Sequence, residues 1–156
     1  MAQHETAKRS RMPGMQLTRI ETMKSLTIPR TIVNKLLSEA QKNPEMETCG
    51  LVSEKHGSPC NVYPVANVSG DKQQLFEMDP AQQIAAMKSM RDNNESLFAI
   101  YHSHPHAPAQ PSATDIAQAS YPDALYLIIS LDTRGVLEMR GFYLRQNDIE
   151  AVELHI

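Results

Sequence analysis

In the stretch LTIPRTIVNKLLSEAQKNP the apolar residues Ile32, Val33, Leu36, Leu37 and Ala40 recur at helical spacing, with Pro29 tolerable in the first turn and Pro44 beyond the end. This predicts a first helix. ETCGLVSE then reads as a strand, KHGSP as a turn and CNVYPVANVS as a second strand, whose internal Pro64 predicts a sheet edge or a bulge. In MDPAQQIAAMKSMRDNN, Asp79 is placed as an N-cap, Pro80 at the first helical position and Gln82 three residues after the cap, so a second helix starts there. Ala81, Ile84, Ala85 and Met87 supply its expected apolar side, joined by Met90, with Lys88 snorkelling at the edge. SLFAIYHSH alternates as a strand, SATDIAQAS is a short helix, and ALYLIISL is apolar on both faces, as a strand in the middle of a sheet should be. GVLEMRGFYL reads as a strand pair broken near Gly141, and IEAVELHI as a final strand. The order predicts an α/β chain: one mixed β-sheet flanked by helices, in a single domain.

Residues 1–22 show no sustained periodicity and carry internal methionines at Met12 and Met15. They are expected to be a flexible leader or tag, with the folded domain over 23–156. At 156 residues the chain is long enough for one sizeable core. Its formal net charge of −3 offers no general attraction to phosphates or anionic lipid, so neither nucleic acid nor a membrane is expected as a partner. The longest apolar run, ALYLII at 124–129, is far short of the roughly 20 residues a membrane span needs. No apolar h-region follows the basic residues near the start, which points to the cytoplasm. Cys49 and Cys60 do not make a disulfide framework and are read as reduced thiols.

The chemistry concentrates in IYHSHPHAPAQPSATDIA, residues 100–117. Residues i and i+2 of a strand point to one face, so His102 and His104 at the end of SLFAIYHSH present a chelating pair. A zinc ion takes about four ligands, and a catalytic site leaves one position to water. Asp115 is the candidate third protein ligand, because the loop PHAPAQP, stiffened by Pro105, Pro108 and Pro111, returns the chain and a helix beginning near Ser112 holds Asp115 in its first turn. Each member also has a plainer reading: histidines at a strand end as surface or hydrogen-bonded groups, and Ser-x-x-Asp as a helix cap. The evenly spaced prolines also fit a polyproline ligand, a reading that leaves the histidines unexplained. HETAK at His4 starts like H-E-x-x-H but has Lys8 at the second histidine, and SPCNVY starts like P-C-x-x-C but has Tyr63 at the second cysteine. No G-x-G-x-x-G or P-loop is present, so nucleotide cofactors have no support.

His102-Ser103-His104-Pro105, the six residues to Pro111, and Ser112-x-x-Asp115 together resemble the H-[ST]-H-P-x6-S-x-x-D signature of the JAMM (MPN+) metalloprotease family. ETCGLV at Glu47 resembles the family's upstream E-x-C-G segment. The resemblance implies the JAMM/MPN, cytidine deaminase-like architecture and a zinc site held by His102, His104 and Asp115. It further implies that Glu47 is the general base and later the general acid, and that Ser112 donates to the developing oxyanion. An acidic residue before an apolar strand is otherwise more often solvent-facing, and spacing alone does not separate Glu47 from Glu45. Cys49 and Cys60 are read as small buried residues beside the site, His106 as a rim residue, and Gly50 as permitting close packing or the approach of a substrate backbone.

The function implied is a zinc-dependent peptidase or isopeptidase that hydrolyses the bond after the C-terminal glycine of a ubiquitin-like or sulfur-carrier protein. Two rivals stand beside it: a deubiquitinase-like isopeptidase acting on conjugated lysines, and a non-catalytic interaction module of the same fold. Oligomeric state and the identity of the substrate are not legible in the sequence.

Overall fold

The computed structural model describes residues 23–156. The expected leader or tag over 1–22 lies outside the described residues. In chain order the elements are β1 (Ser25–Thr27), α1 (Arg30–Lys42), β2 (Cys49–Lys55), β3 (Ser58–Val65), α2 (Pro80–Asp92), β4 (Ser96–His104), α3 (Ala113–Gln118), β5 (Leu125–Ser130), β6 (Glu138–Arg145) and β7 (Asp148–His155). The strands form one sheet in the order β1-β7-β6-β5-β4-β2-β3. β1 runs parallel to β7 and β4 parallel to β5, while the other neighbours are antiparallel. The expected mixed sheet is present.

Period-two alternation gives each face of the sheet its own core. On one face Ala99 and Tyr101 of β4 and Leu125, Leu127 and Ile129 of β5 pack with Ile32, Val33, Leu36 and Ala40 of α1. On the other, Ile100 of β4 and Tyr126 and Ile128 of β5 pack with Ala86 and Met90 of α2. Burial of every β5 side chain follows from its place at the centre of the sheet. β3 lies at the edge, where Pro64 leaves no ladder donor missing from a central strand. β2 and β3 are joined through His56 and Gly57, both at positive φ, the two-residue turn that suits hairpin twist.

One strand was not foreseen and two expectations are corrected. The strand β1, only three residues long, is held by parallel pairing with β7. The buried residues of α2 are Ala86 and Met90, with Gln83 and Met87 half-buried, whereas Ile84 is 69% exposed. That helix is apolar on more than one side, so residue type alone picked the wrong stripe. β6 runs unbroken through Gly141, where a Cβ would lie 3.1 Å from Leu154 Cδ2 and 3.3 Å from Leu125 Cδ1. The missing side chain there makes room for two leucines; the strand is not interrupted.

Candidate metal centre

His102 and His104 end β4 on the face that carries Ile100, and both are buried. Beyond them the chain loops through Pro105–Pro111 and enters α3, capped by Ser112. The Ser112 hydroxyl accepts from the Asp115 N–H at 3.0 Å, and Asp115 Oδ2 accepts from the Ser112 N–H at 2.9 Å, a reciprocal capping box. The plainer reading of Ser-x-x-Asp is therefore true, and the same carboxylate oxygen also turns to the histidines. Asp115 Oδ2 lies 3.1 Å from Nε2 of His102 and 3.1 Å from Nε2 of His104, and the two Nε2 atoms are 3.0 Å apart.

Three donor atoms at mutual distances of 3.0–3.1 Å approach the about 3.3 Å spacing of tetrahedral ligands around a zinc ion. Hydrogen bonding alone does not account for the triangle. His104 Nδ1 donates to the Pro108 carbonyl at 2.8 Å, a tautomer that leaves a lone pair on Nε2. Two ring nitrogens and a carboxylate oxygen then face one another with too few protons to link all three. Burial raises the Asp115 carboxyl, but the two imidazoles against it prevail and hold it well below the usual carboxylate range. Burial pushes His102 down, whereas His104 is raised, against its burial, by Asp115 and the Pro108 carbonyl. The chemistry of this donor set suits a divalent cation.

Glu47 approaches from the neighbouring strand's leading edge. Its Oε1 is 3.7 Å from His104 Nε2, and ligand atoms of Glu47, His102 and His104 lie within 4.8 Å of one another. Asp115 is nearer to both histidines, so Glu47 stands one step outside the tight triangle. Burial pushes its carboxyl up to about 8, with His104 opposing and Asp115 reinforcing the shift. Its backbone is pinned at both ends: the N–H donates to the Lys72 carbonyl at 2.7 Å, and the carbonyl accepts from Asn67 Nδ2 at 2.9 Å. Glu45, its rival in the sequence, is exposed and pairs with His106 Nε2 at 3.0 Å on the rim.

Three contributors had no role legible in the sequence. Ser103 faces away from the histidines, yet its hydroxyl accepts from the Thr48 N–H at 2.8 Å and so ties the residue after Glu47 to β4. Asn67 uses every polar atom of its amide, donating to the carbonyls of Glu47 and Leu75 and accepting from the N–H groups of Ser69 and Glu77. Phe76 stacks on the His102 ring, with centroids 4.4 Å apart and planes at 25°. Asn67 and Phe76 lie outside the motifs, whereas Ser103 fills the second position of the H-S-H-P match without a role of its own having been read there.

The cysteines divide. Cys49 is buried opposite His102, its thiol pushed up to about 12 by burial and then by Glu47, which makes it an inert packing group. Cys60 is half-buried and touches Ser53 and Glu95 toward the other end of the hairpin, so the expectation that it lies beside the site is corrected. Both thiols are free. A Cβ on Gly50 would sit 2.5 Å from both Tyr101 Oη and the Tyr63 carbonyl, so this glycine serves close packing.

Two clefts flank the triangle. One, of about 390 Å³, has walls that include Phe76, Met78, Tyr121, His102 and Asp115. The other, of about 340 Å³, is bounded by Glu47, His104, His106 and Ser112 among others. Among the described residues no helix is long and apolar enough to cross a membrane.

Comparison with known proteins agrees with this architecture. The CysO-cysteine peptidase of Mycobacterium tuberculosis is 30% identical over 128 residues, covering 81% of this chain and 87% of that protein. A desampylase of Haloferax volcanii is 29% identical over 119 residues, covering 72% of this chain and 86% of its own. A solution structure from Desulfitobacterium hafniense superimposes with a TM-score of 0.73 at 31% identity, covering 82% of this chain and 90% of that one. The family described as prokaryotic homologs of the JAB domain matches residues 29–142, which takes in Glu47, both histidines, Ser112 and Asp115, and the chain belongs to that family.

Proposed function

We propose that this protein is a zinc-dependent peptidase or isopeptidase that cleaves after the C-terminal glycine of a ubiquitin-like or sulfur-carrier protein. The observation that carries the reading is the triangle of His102 Nε2, His104 Nε2 and Asp115 Oδ2 with a buried carboxylate, Glu47, beside it. In this reading those three atoms hold the zinc. When bound, the ion supplies Lewis acidity toward water and toward a carbonyl.

The chain's own groups do the proton work. Glu47, held by Asn67 and Lys72 and raised by burial, takes the proton of the attacking water on its carboxylate and passes it to the leaving amine nitrogen. The Ser112 oxygen is engaged as an acceptor by the Asp115 N–H, which leaves the hydroxyl proton free to donate to a developing oxyanion. Because Glu47 lines the same cleft as His104, His106 and Ser112, that cleft receives the amine-bearing product.

Glycine at the scissile bond fits the depth of the centre. Side chains of His102, His104 and Asp115 are only 1%, 6% and 8% exposed, so a substrate backbone must come close, and glycine is the residue that permits it. The substrate class is supported by the relative whose name makes it a peptidase of CysO-cysteine. Two free thiols support a cytoplasmic location.

The test is to incubate the metal-loaded protein with small β-grasp carrier proteins bearing C-terminal extensions or lysine conjugates and to weigh the products. Release of a carrier ending in glycine is expected. Intact substrates at full zinc occupancy would sink the activity while leaving the metal site standing.

A further inference from the structure

Histidines that bind metals are usually oriented through the ring nitrogen that faces away from the ion, by a hydrogen bond to a carbonyl or carboxylate. His104 follows this rule through the Pro108 carbonyl, 2.8 Å from its Nδ1. His102 does not: the residue is wholly inaccessible, and among the described residues its Nδ1 has no hydrogen-bond partner. What meets the flat of its ring is Phe76, at 4.4 Å and 25°. Aromatic rings at this separation attract beyond simple burial, and a flat neighbour resists rotation about the bond that carries the imidazole.

Phe76 is itself held firmly. The carbonyl of Leu75 accepts from Asn67 Nδ2 at 3.0 Å, and the N–H of Glu77 donates to Asn67 Oδ1 at 3.0 Å, so both neighbours of Phe76 are clamped by one amide. That same Asn67 nitrogen donates to the carbonyl of Glu47. The segment between β3 and α2 thus supports the centre twice, through hydrogen bonds to the backbone of Glu47 and through a ring face against His102.

We propose that Phe76 is the positioning residue of His102, its ring doing for that imidazole what the Pro108 carbonyl does for His104. The proposal rests on His102 being a metal ligand. Without the stack the imidazole turns about its Cβ–Cγ bond, with no hydrogen bond at Nδ1 to anchor the far side of the ring, and Nε2 leaves the triangle. A leucine at 76 fills comparable space and lacks the flat face; a tyrosine keeps it.

Three measurements test this. In the wild-type protein stripped of metal, NMR should find the carbon-bound ring protons of His102 shifted upfield by the Phe76 ring current, and F76L should remove the shift. Competition with a chromophoric chelator should show zinc bound about tenfold more weakly by F76L, a loss typical for removing an orienting partner, and close to wild type by F76Y. The d–d spectrum of the cobalt-substituted protein should change in F76L and be restored in F76Y. Absence of the upfield shift in wild type overturns the proposal whether or not F76L folds. If H102A gives up its metal while F76L keeps wild-type affinity and the same cobalt spectrum, the positioning role is overturned and the ligand reading survives. If H102A binds zinc as wild type does, the ligand reading fails and takes this proposal with it.

Discussion

His102, His104 and Asp115 meet across sequence separations of 2, 11 and 13, inside one strand end, one proline loop and the first turn of α3. Glu47 reaches the same point from another part of the chain and stays there through Asn67, at a separation of 20, while Thr48 is tied to Ser103 at a separation of 55. The first region assembles itself by local rules: strand alternation aims the imidazoles, prolines stiffen the return, and a capping box turns the carboxylate inward. The second exists only after β2, β4 and the segment between β3 and α2 have come together. Ion holding and proton handling are therefore expected to fail separately.

The largest effect should come from breaking the local region. Asp115→Ala removes one corner of the triangle and the inward half of the capping box; zinc content by elemental analysis should fall to background and hydrolysis with it. Retained stoichiometric zinc would show that Glu47, not Asp115, completes the ligand set with the histidines. Glu47→Gln attacks the long-range region at its tip. It should keep zinc and the wild-type melting curve while turnover drops by about 10²–10⁴, the usual weight of general acid–base catalysis. A normal rate would remove Glu47 from the proton path.

Ser112→Ala lies on the boundary, since its hydroxyl is both a cap and an oxyanion donor in the proposed function. Loss of the donor should lower kcat by about 10²–10³, and loss of the cap should cost about 1 kcal/mol in denaturant titrations. A stability loss with unchanged kcat would reduce Ser112 to a cap. The smallest effect is expected for Asn67→Ala, which frees the Glu47 backbone without touching the triangle. Turnover should fall about tenfold, the equivalent of one lost hydrogen bond of about 1.4 kcal/mol, with zinc affinity reduced only as far as Phe76 loosens. Equal loss of metal and rate would erase the distinction between the two regions.

Much of the fold was legible because single elements announce themselves. α1 shows its face through Ile32, Val33, Leu36 and Ala40, and β5 is apolar from Leu125 to Ile129 because both its faces are covered. Where elements depend on partners, the pattern was silent or misleading. β1 is three residues long and is a strand by virtue of β7, Ile84 is apolar and yet faces water, and Gly141 reads as a break although it sits in a continuous strand beneath Leu125 and Leu154.

The candidate site divides in the same way. His102, His104 and Asp115 could be named from spacing because their geometry is set within one contiguous stretch, whereas Ser112 was legible there only as a cap; its catalytic role and Glu47 came through family resemblance, since nothing in the neighbourhood of Glu47 distinguishes it from Glu45. What the amino-acid order determined is the local stereochemistry: which residues share a strand face and which carboxylate a capping box holds at the start of a helix. Only the tertiary structure decided that Glu47 is buried with a raised pKa, that Asn67 grips both it and the flanks of Phe76, and that an aromatic face backs His102. Desolvation and stacking depend on what lies within a few ångströms in space, and distance along the chain carries no record of that.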